Sequence, residues 1–256
     1  MKMFSGRYLR FPTLLFVIAC LNPYSAVADS TFDSGMTRYS LKDYRGAREL
    51  WVKAANQHDP RAEYALGSMS HNGLVVEQSD IDAAKWWRLA AQRGYAKAQV
   101  SLGHLYRLGS GVPTDHGKAF ALYKDAAYQG DAEGQTNLAS MFLDGAGTER
   151  NVDTAIGWYS KAAEQNYTLA QQLLGGVFHN IKKDDITAAK WWARAGERGD
   201  ADAQYNLALL YISGSGVPQD ERKALLLITQ AAQQGHAEAK KWHNRFLEIQ
   251  RNSTGR

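Results

Sequence analysis

Two nearly identical strings, GSGVPTD at 109–115 and GSGVPQD at 214–220, are the residues that most invite a chemical reading. A glycine-rich loop running into a helix can cradle phosphate on its backbone amides, and Gly117-Lys118 follow the first copy. The spacing argues against it. Five residues separate Gly111 from Gly117 where a phosphate loop has four, and Ala119 stands where a Ser or Thr would hold magnesium. The string reads instead as a link between two helices. Gly109 and Gly214 are expected to stop the first in a left-handed conformation. Pro113 and Pro218 stiffen the path, and Asp115 and Asp220 cap the second.

The remaining candidates for chemistry reduce in the same way. The carboxylate pairs Asp80/Asp82 and Asp184/Asp185 fall where second helices begin, so capping accounts for them without acid–base catalysis. The histidines at 58, 71, 104, 116, 179, 236 and 243 show no zinc-binding spacing. Cys20 is the only cysteine, and no serine sits in a nucleophile-elbow context. The tryptophan pairs 86–87 and 191–192 are expected on a buried stripe. No catalytic, cofactor-binding or metal-ligating residue is expected.

The elements that position these residues come from repetition. AEYALGSMSHNG (62–73), AQVSLGHLYRLG (98–109), GQTNLASMFLDG (134–145), AQQLLGGVFHN (170–180) and AQYNLALLYISG (203–214) begin 36, 36, 36 and 33 residues apart, and Ala239 starts another copy 36 after Ala203. Each is followed by a second phrase of the type DAAKWWRLAAQRG. Ala62, Leu66, Met69 and Ser70 lie at helical spacing, as do Ala98, Leu102, Leu105 and Tyr106, and Ala203, Leu207, Leu210 and Tyr211. The second phrase places Ala83, Trp86, Trp87, Ala90 and Ala91 on one stripe. Gly67, Gly103 and Gly175 would let neighbouring helices approach closely. One such two-helix unit cannot bury both stripes, so the copies must stack: the fold class expected is all-α, a right-handed α/α solenoid.

The phrases A-x-x-x-L-G-x-x-Y, G-x-G-V and K-A-x-x-W-Y-x-K-A-A-x-x-G, best kept in 98–130 and 203–235, resemble the Sel-one-like repeat, a relative of the tetratricopeptide repeat. On this register the chain divides into a leader (1–28), a divergent first repeat (29–61), five repeats (62–97, 98–133, 134–169, 170–202, 203–238) and a C-terminal capping helix with a tail (239–256). In the divergent repeat Phe32, Gly35 and Tyr39 mark the first helix, and Ala47, Leu50-Trp51 and Ala54-Ala55 the second. In the cap, Trp242, Phe246 and Ile249 form the apolar side. The fourth repeat departs from the pattern. Its loop, Asn180 to Asp185, is three residues short and has no glycine, which predicts a tighter connection and a local change of curvature.

One column of each first helix lacks a packing role: Tyr64, Ser68, His71; Val100, His104, Arg107; Thr136, Ser140, Leu143; Gln172, Gly176, His179; Tyr205, Leu209, Ile212. Stacking aligns these positions along the concave side. Tyr64, His71, His104, Arg107, Leu143, Gln172, His179, Tyr205 and Ile212 are the residues expected to contact a protein or peptide partner.

The first 28 residues read as an export leader. Lys2, Arg7 and Arg10 form a basic start, Leu14 to Leu21 a short apolar core, and Ala26-Val27-Ala28 a cleavage site between Ala28 and Asp29. An alternative reading takes Val17-Ile18-Ala19-Cys20 as a lipoprotein box with Cys20 lipidated. Neither leaves a disulfide, and no segment approaches a membrane-spanning length. Residues 1–28 hold three basic residues and no acidic one, so their loss brings the net charge from +4 to +1, which calls for neither nucleic acid nor an anionic membrane.

The resemblance implies adaptor or scaffold work, and for bacterial exported members it implies roles in the envelope, signalling or host contact. The leader's style points to a Gram-negative periplasm. The eukaryotic relatives imply endoplasmic-reticulum quality control instead, with Asn166-Tyr167-Thr168 as a glycosylation acceptor. Two other readings share the fold: a polysaccharide-handling scaffold, and a β-lactamase-like hydrolase of the kind described for cysteine-rich relatives. The second lacks its cysteine pairs here.

Overall fold

The computed structural model describes residues 23–254, with side chains from 31 to 246. Among the described residues there are thirteen α-helices and no strand. They pair in chain order: α1 (Pro23–Ser40) with α2 (Tyr44–Asn56), α3 (Pro60–Asn72) with α4 (Asp80–Gln92), α5 (Ala96–Leu108) with α6 (His116–Tyr128), and α7 (Ala132–Asp144) with α8 (Val152–Glu164). Then follow α9 (Thr168–Val177) with α10 (Asp185–Glu197), α11 (Ala201–Ser213) with α12 (Glu221–Gln233), and finally α13 (Ala237–Thr254). We refer to the α3/α4 pair as unit 1 and the α11/α12 pair as unit 5. Cys20 lies outside the described residues, and Ala28 and Asp29 fall within α1.

Sequence dictates each helix boundary. Gly109 and Gly214 end α5 and α11 at φ 73° and 72°, in the left-handed region that costs glycine least. Asp115 and Asp220 then cap α6 and α12, accepting from the backbone N of Lys118 at 2.9 Å and of Lys223 at 3.0 Å. The carboxylate pairs behave differently from expectation. Ser79, not an aspartate, caps α4, accepting from Asp82 N at 3.1 Å. Asp184 does cap α10, accepting from Thr187 N at 3.0 Å. Asp80 and Asp185 are each the first residue inside their helix, one position too late to cap, and their carboxylates turn to histidines.

The core is a series of small clusters, one where each second helix meets the helix that follows it, as stacking of incomplete units requires. Ala62, Leu66 and Met69 are buried, as are Ala98, Leu102 and Leu105, and Ala203, Leu207 and Leu210. The small residue of each first helix faces the large one of its second. A Cβ on Gly67, Gly103 or Gly175 would collide with Trp87, Tyr123 or Trp192 respectively, and Ala139 and Ala208 fill the place opposite Tyr159 and Ile228. Each tryptophan also spends its N–H: Trp87 Nε1 donates to Tyr64 O and Trp192 Nε1 to Gln172 O, both at 3.1 Å. Only one of each WW pair is fully buried. Trp86 and Trp191 are half-buried and pack on the cluster that joins their own first helix to the preceding unit.

Units are tied together by a column of buried amides. Gln99, Gln135, Gln171 and Gln204 donate to the last-turn carbonyls of Ala91, Ala127, Ala163 and Gly196 in the preceding unit. The side-chain oxygens of Gln99, Gln135 and Gln204 accept, at 2.8 Å each, from the residue that closes their own second helix: Gln129, Gln165 and Gln234. In unit 1 the same pair is Glu63 and Arg93, at 3.1 Å.

The short fourth loop is made in an unexpected way. The helix widens through a five-residue π-turn, Phe178–Lys182, and Lys183 takes the left-handed conformation at φ 56° in place of glycine. Three fewer residues leave no room for a separate loop, so the helix itself turns the corner.

Candidate functional site

The sequence-selected column is split by packing. Val100 and Thr136 are buried at 3 % exposure and not on an open face: Val100 belongs to an apolar cluster, and the Thr136 hydroxyl donates to Ala132 O at 2.7 Å. Leu143 is half-buried against Tyr159 and its neighbours. Tyr205 stacks on His236 with ring centres 4.5 Å apart. Gln172 is half-buried beside Trp192, and Arg107 is exposed.

Tyr64, His71 and His104 are brought together. They line one groove of about 370 Å³ between α3, the start of α4 and α5, with Ser68, Asp80 and Trp87 in its walls. Tyr64 packs on Trp87 and on Tyr95 at 6.3 and 5.3 Å. Leu108, 64 % exposed, forms one rim.

The polar groups of this groove are largely engaged with one another. His71 Nδ1 lies 2.5 Å from Asp80 Oδ1, and the hydroxyl of Ser110, from the next unit, donates to Asp80 Oδ2. The Ser110 bond and then His71 hold the Asp80 carboxyl below the usual carboxylate range. His104 Nδ1 is 3.1 Å from the Tyr123 hydroxyl, and its Nε2 is 3.3 Å from Glu133. That contact lowers the Glu133 carboxyl. Burial pushes the Tyr123 hydroxyl up to about 12, although the Arg107 guanidinium pulls it down.

Histidine, aspartate and serine are thus adjacent, but in an order that cannot activate a nucleophile: the serine donates to the aspartate and not to the imidazole. The arrangement also recurs. His179 Nδ1 sits 2.6 Å from Asp185 Oδ1, with Trp192 at 5.4 Å, in the positions of His71, Asp80 and Trp87. Recurrence at equivalent positions marks a clasp between a first helix and its second. Among the described residues no group of three or more His, Cys, Asp or Glu side chains could hold a metal ion, and no helix is long and apolar enough to cross a membrane.

Ile212 lines the corresponding groove of unit 5, about 390 Å³, with Leu225, Ile228, Trp242 and Phe246. Here the sequence reading needs correction. Trp242 is 48 % exposed and forms the groove wall; the packed side of α13 carries Ala239 and His243, whose Nδ1 is 3.2 Å from Thr229 Oγ1. The signal was present in the register, because Trp242 stands three residues after Ala239, as Ala65 and Ser101 do after Ala62 and Ala98 on the groove side.

A second missed feature is the other glycine of the loop. A Cβ at Gly111 or Gly216 would run into the backbone of Asp80 or Asp185, and one at Gly147 into that of His116. Each loop therefore lies directly on the first turn of the previous unit's second helix. The recurrence of G-x-G in the sequence carried that information, but its contact lies across a unit boundary that no single repeat reveals.

The family model described as Sel1 repeat matches residues 35–59, 60–95, 96–131, 132–167, 169–200 and 201–236. Among solved structures, c5321 of uropathogenic Escherichia coli, described as a protective antigen displaying an SLR fold, is 32 % identical with a TM-score of 0.80. The match covers 89 % of this chain and 50 % of that one, so this chain spans half the length of that relative. A Sel1 repeat protein from Oxalobacter formigenes is 31 % identical with a TM-score of 0.77, over 83 % of this chain and 86 % of that one. The immunity protein PA5088 of Pseudomonas aeruginosa, at 18 % identity and a TM-score of 0.55, shares the fold.

Proposed function

The chain belongs to the Sel1 repeat family, and on that premise we propose that it is a non-enzymatic scaffold of the bacterial envelope that binds a protein or peptide along its first-helix side. Members of the family generally serve as protein–protein interaction scaffolds. The observation that carries the reading to a place on this chain is the convergence of Tyr64, His71 and His104 on one groove beside the exposed Leu108. An aromatic wall, satisfied polar groups and an apolar rim suit peptide recognition. The basic, apolar and small-residue order of residues 1–28 supports export to the periplasm, and Cys20 offers a lipid anchor as the alternative.

Photo-crosslinking in intact cells tests the proposal. A crosslinker at position 101 or 108, on the groove, is expected to capture one identifiable protein; one at position 124, on the opposite side of unit 2, is not. Equal capture from both positions would overturn the assignment to this face. Retention of oligosaccharide on an array, with no protein captured, would favour the polysaccharide reading. Hydrolysis of a β-lactam reporter in proportion to the folded fraction would overturn the non-enzymatic one.

A further inference from the structure

The joints between units are not alike. Where unit 2 meets unit 1, unit 3 meets unit 2 and unit 5 meets unit 4, a loop glycine lies on the first turn of the preceding second helix with no space for a side chain: Gly111 on Asp80, Gly147 on His116, Gly216 on Asp185. Backbone against backbone at that range fixes the loop's position, because neither surface can yield. Where unit 4 meets unit 3 there is no such glycine. The π-turn Phe178–Lys182 replaces the loop. From this turn Phe178 packs on the apolar cluster shared by the two units, and the polar link across the joint is an ion pair, Lys182 Nζ to Asp153 Oδ1 at 2.6 Å.

That substitution changes the kind of force at the joint. The two side chains are 39 % and 82 % exposed, so the pair is weak in water and screened by salt. A second departure falls in the same unit. Gln171 still donates to Ala163 O at 2.9 Å across the joint, but its own oxygen has no hydrogen-bond partner. Arg198 closes α10, whereas Gln129, Gln165 and Gln234 close α6, α8 and α12 and each donate to the equivalent oxygen. The amide that crosses this joint therefore lacks the second bond that steadies its equivalents.

We propose that the joint between units 3 and 4 is a built-in bending point of the solenoid, latched by Lys182 and Asp153. The apolar contact of Ala170 and Leu174 with Tyr159, Ala162 and Ala163 keeps the two units together. It is non-directional and tolerates a small rotation, whereas the seated glycine loops do not. The joint at the N-terminal end also lacks a glycine, with Val75 at φ 69° in that place, but it lies outside both grooves. The unit 3–4 joint lies between the groove of Tyr64, His71 and His104 and that of Ile212 and Trp242, so bending there changes their separation. This inference does not depend on what either groove binds.

Positions 85, 121, 157, 190 and 226 are exposed and equivalent in successive second helices. Spin labels on cysteines at these positions, in the full chain with Cys20→Ser, permit pulsed distance measurements across two joints at a time. The pair 85/157 spans two seated joints and is expected to give a narrow distance distribution at any salt. The pairs 121/190 and 157/226, which include the unit 3–4 joint, are expected to give broader distributions that widen further from low salt to about 0.5 M. Asp153→Asn should reproduce the high-salt width at low salt in 157/226 and leave 85/157 unchanged. Replacing Asn180–Lys183 by the sequence of 108–114 should narrow 157/226. Equal widths for 85/157 and 157/226, or no response of 157/226 to salt and to Asp153→Asn, would overturn the proposal, and Asp153→Asn decides it should the loop replacement fail to fold.

Discussion

At the residue that closes each second helix, chemistry alternates between amide and ion. Gln129, Gln165 and Gln234 donate to a buried glutamine oxygen, whereas Arg93 meets Glu63 and Arg198 leaves Gln171 Oε1 unsatisfied. A buried acceptor without a donor is costly, so Arg198→Gln should raise stability by about 1 kcal/mol, read from the midpoint of denaturant unfolding. Unit 1 predicts the converse. Burial raises the Glu63 carboxyl above its ordinary range, against the pull of Arg93. Arg93→Gln should cost about 3 kcal/mol at neutral pH, because it strands a buried charge. An acid whose folded value is raised is penalised while ionised, and the penalty is relieved as pH falls through that value toward the unfolded one. The cost of Arg93→Gln should accordingly shrink on acidification, and the double variant Glu63→Gln with Arg93→Gln should recover most of the loss. The five-residue column Glu63, Gln99, Gln135, Gln171, Gln204 and its partners were visible in the repeats, but their meaning was not: the two columns meet only when a helix end folds under its own first helix.

At the scale of elements, the loop strings 109–115 and 214–220 were legible as caps, and Gly109, Gly214, Asp115 and Asp220 act as the sequence indicates. What could not be read was the neighbour across the joint. Gly109→Val should cost more than about 1 kcal/mol through its left-handed backbone and leave no nucleotide-binding activity to lose. Gly111→Ala should cost about 2 kcal/mol or more, because it adds a collision with the Asp80 backbone to the same strain. The ordering of the two, measured by thermal unfolding, separates a helix cap from a loop glycine that is also a seat. Val75 carries the opposite expectation. It is a β-branched residue at φ 69° with an exposed side chain, and Val75→Gly should stabilise by about 1 kcal/mol. The π-turn of unit 4 had a clear signal in its three missing residues, but where these predict a tighter connection the helix widens instead.

Over the whole molecule the repeat register determined the architecture, because five in-phase copies of an apolar stripe have one way to bury it. The groove was less legible. Stripe analysis separates a packed face from its opposite but cannot distinguish Val100 and Thr136, which are buried, from Tyr64 and His104, which line a groove. Nor can it show that Trp242, apolar and in helical phase, would be half exposed in the wall of a second groove. A linear scaffold that joins its units through local contacts should bind through a few adjacent units and be indifferent to changes on its other side. The direct test is calorimetric titration of the crosslinked and identified partner against purified full-length variants. Leu108→Glu, at the exposed rim of the groove, is expected to weaken binding at least about tenfold, a change of about 1.4 kcal/mol, with Lys124→Glu unchanged from the parent protein. Unaltered affinity for Leu108→Glu, or an equal loss for Lys124→Glu, would contradict recognition on the first-helix side.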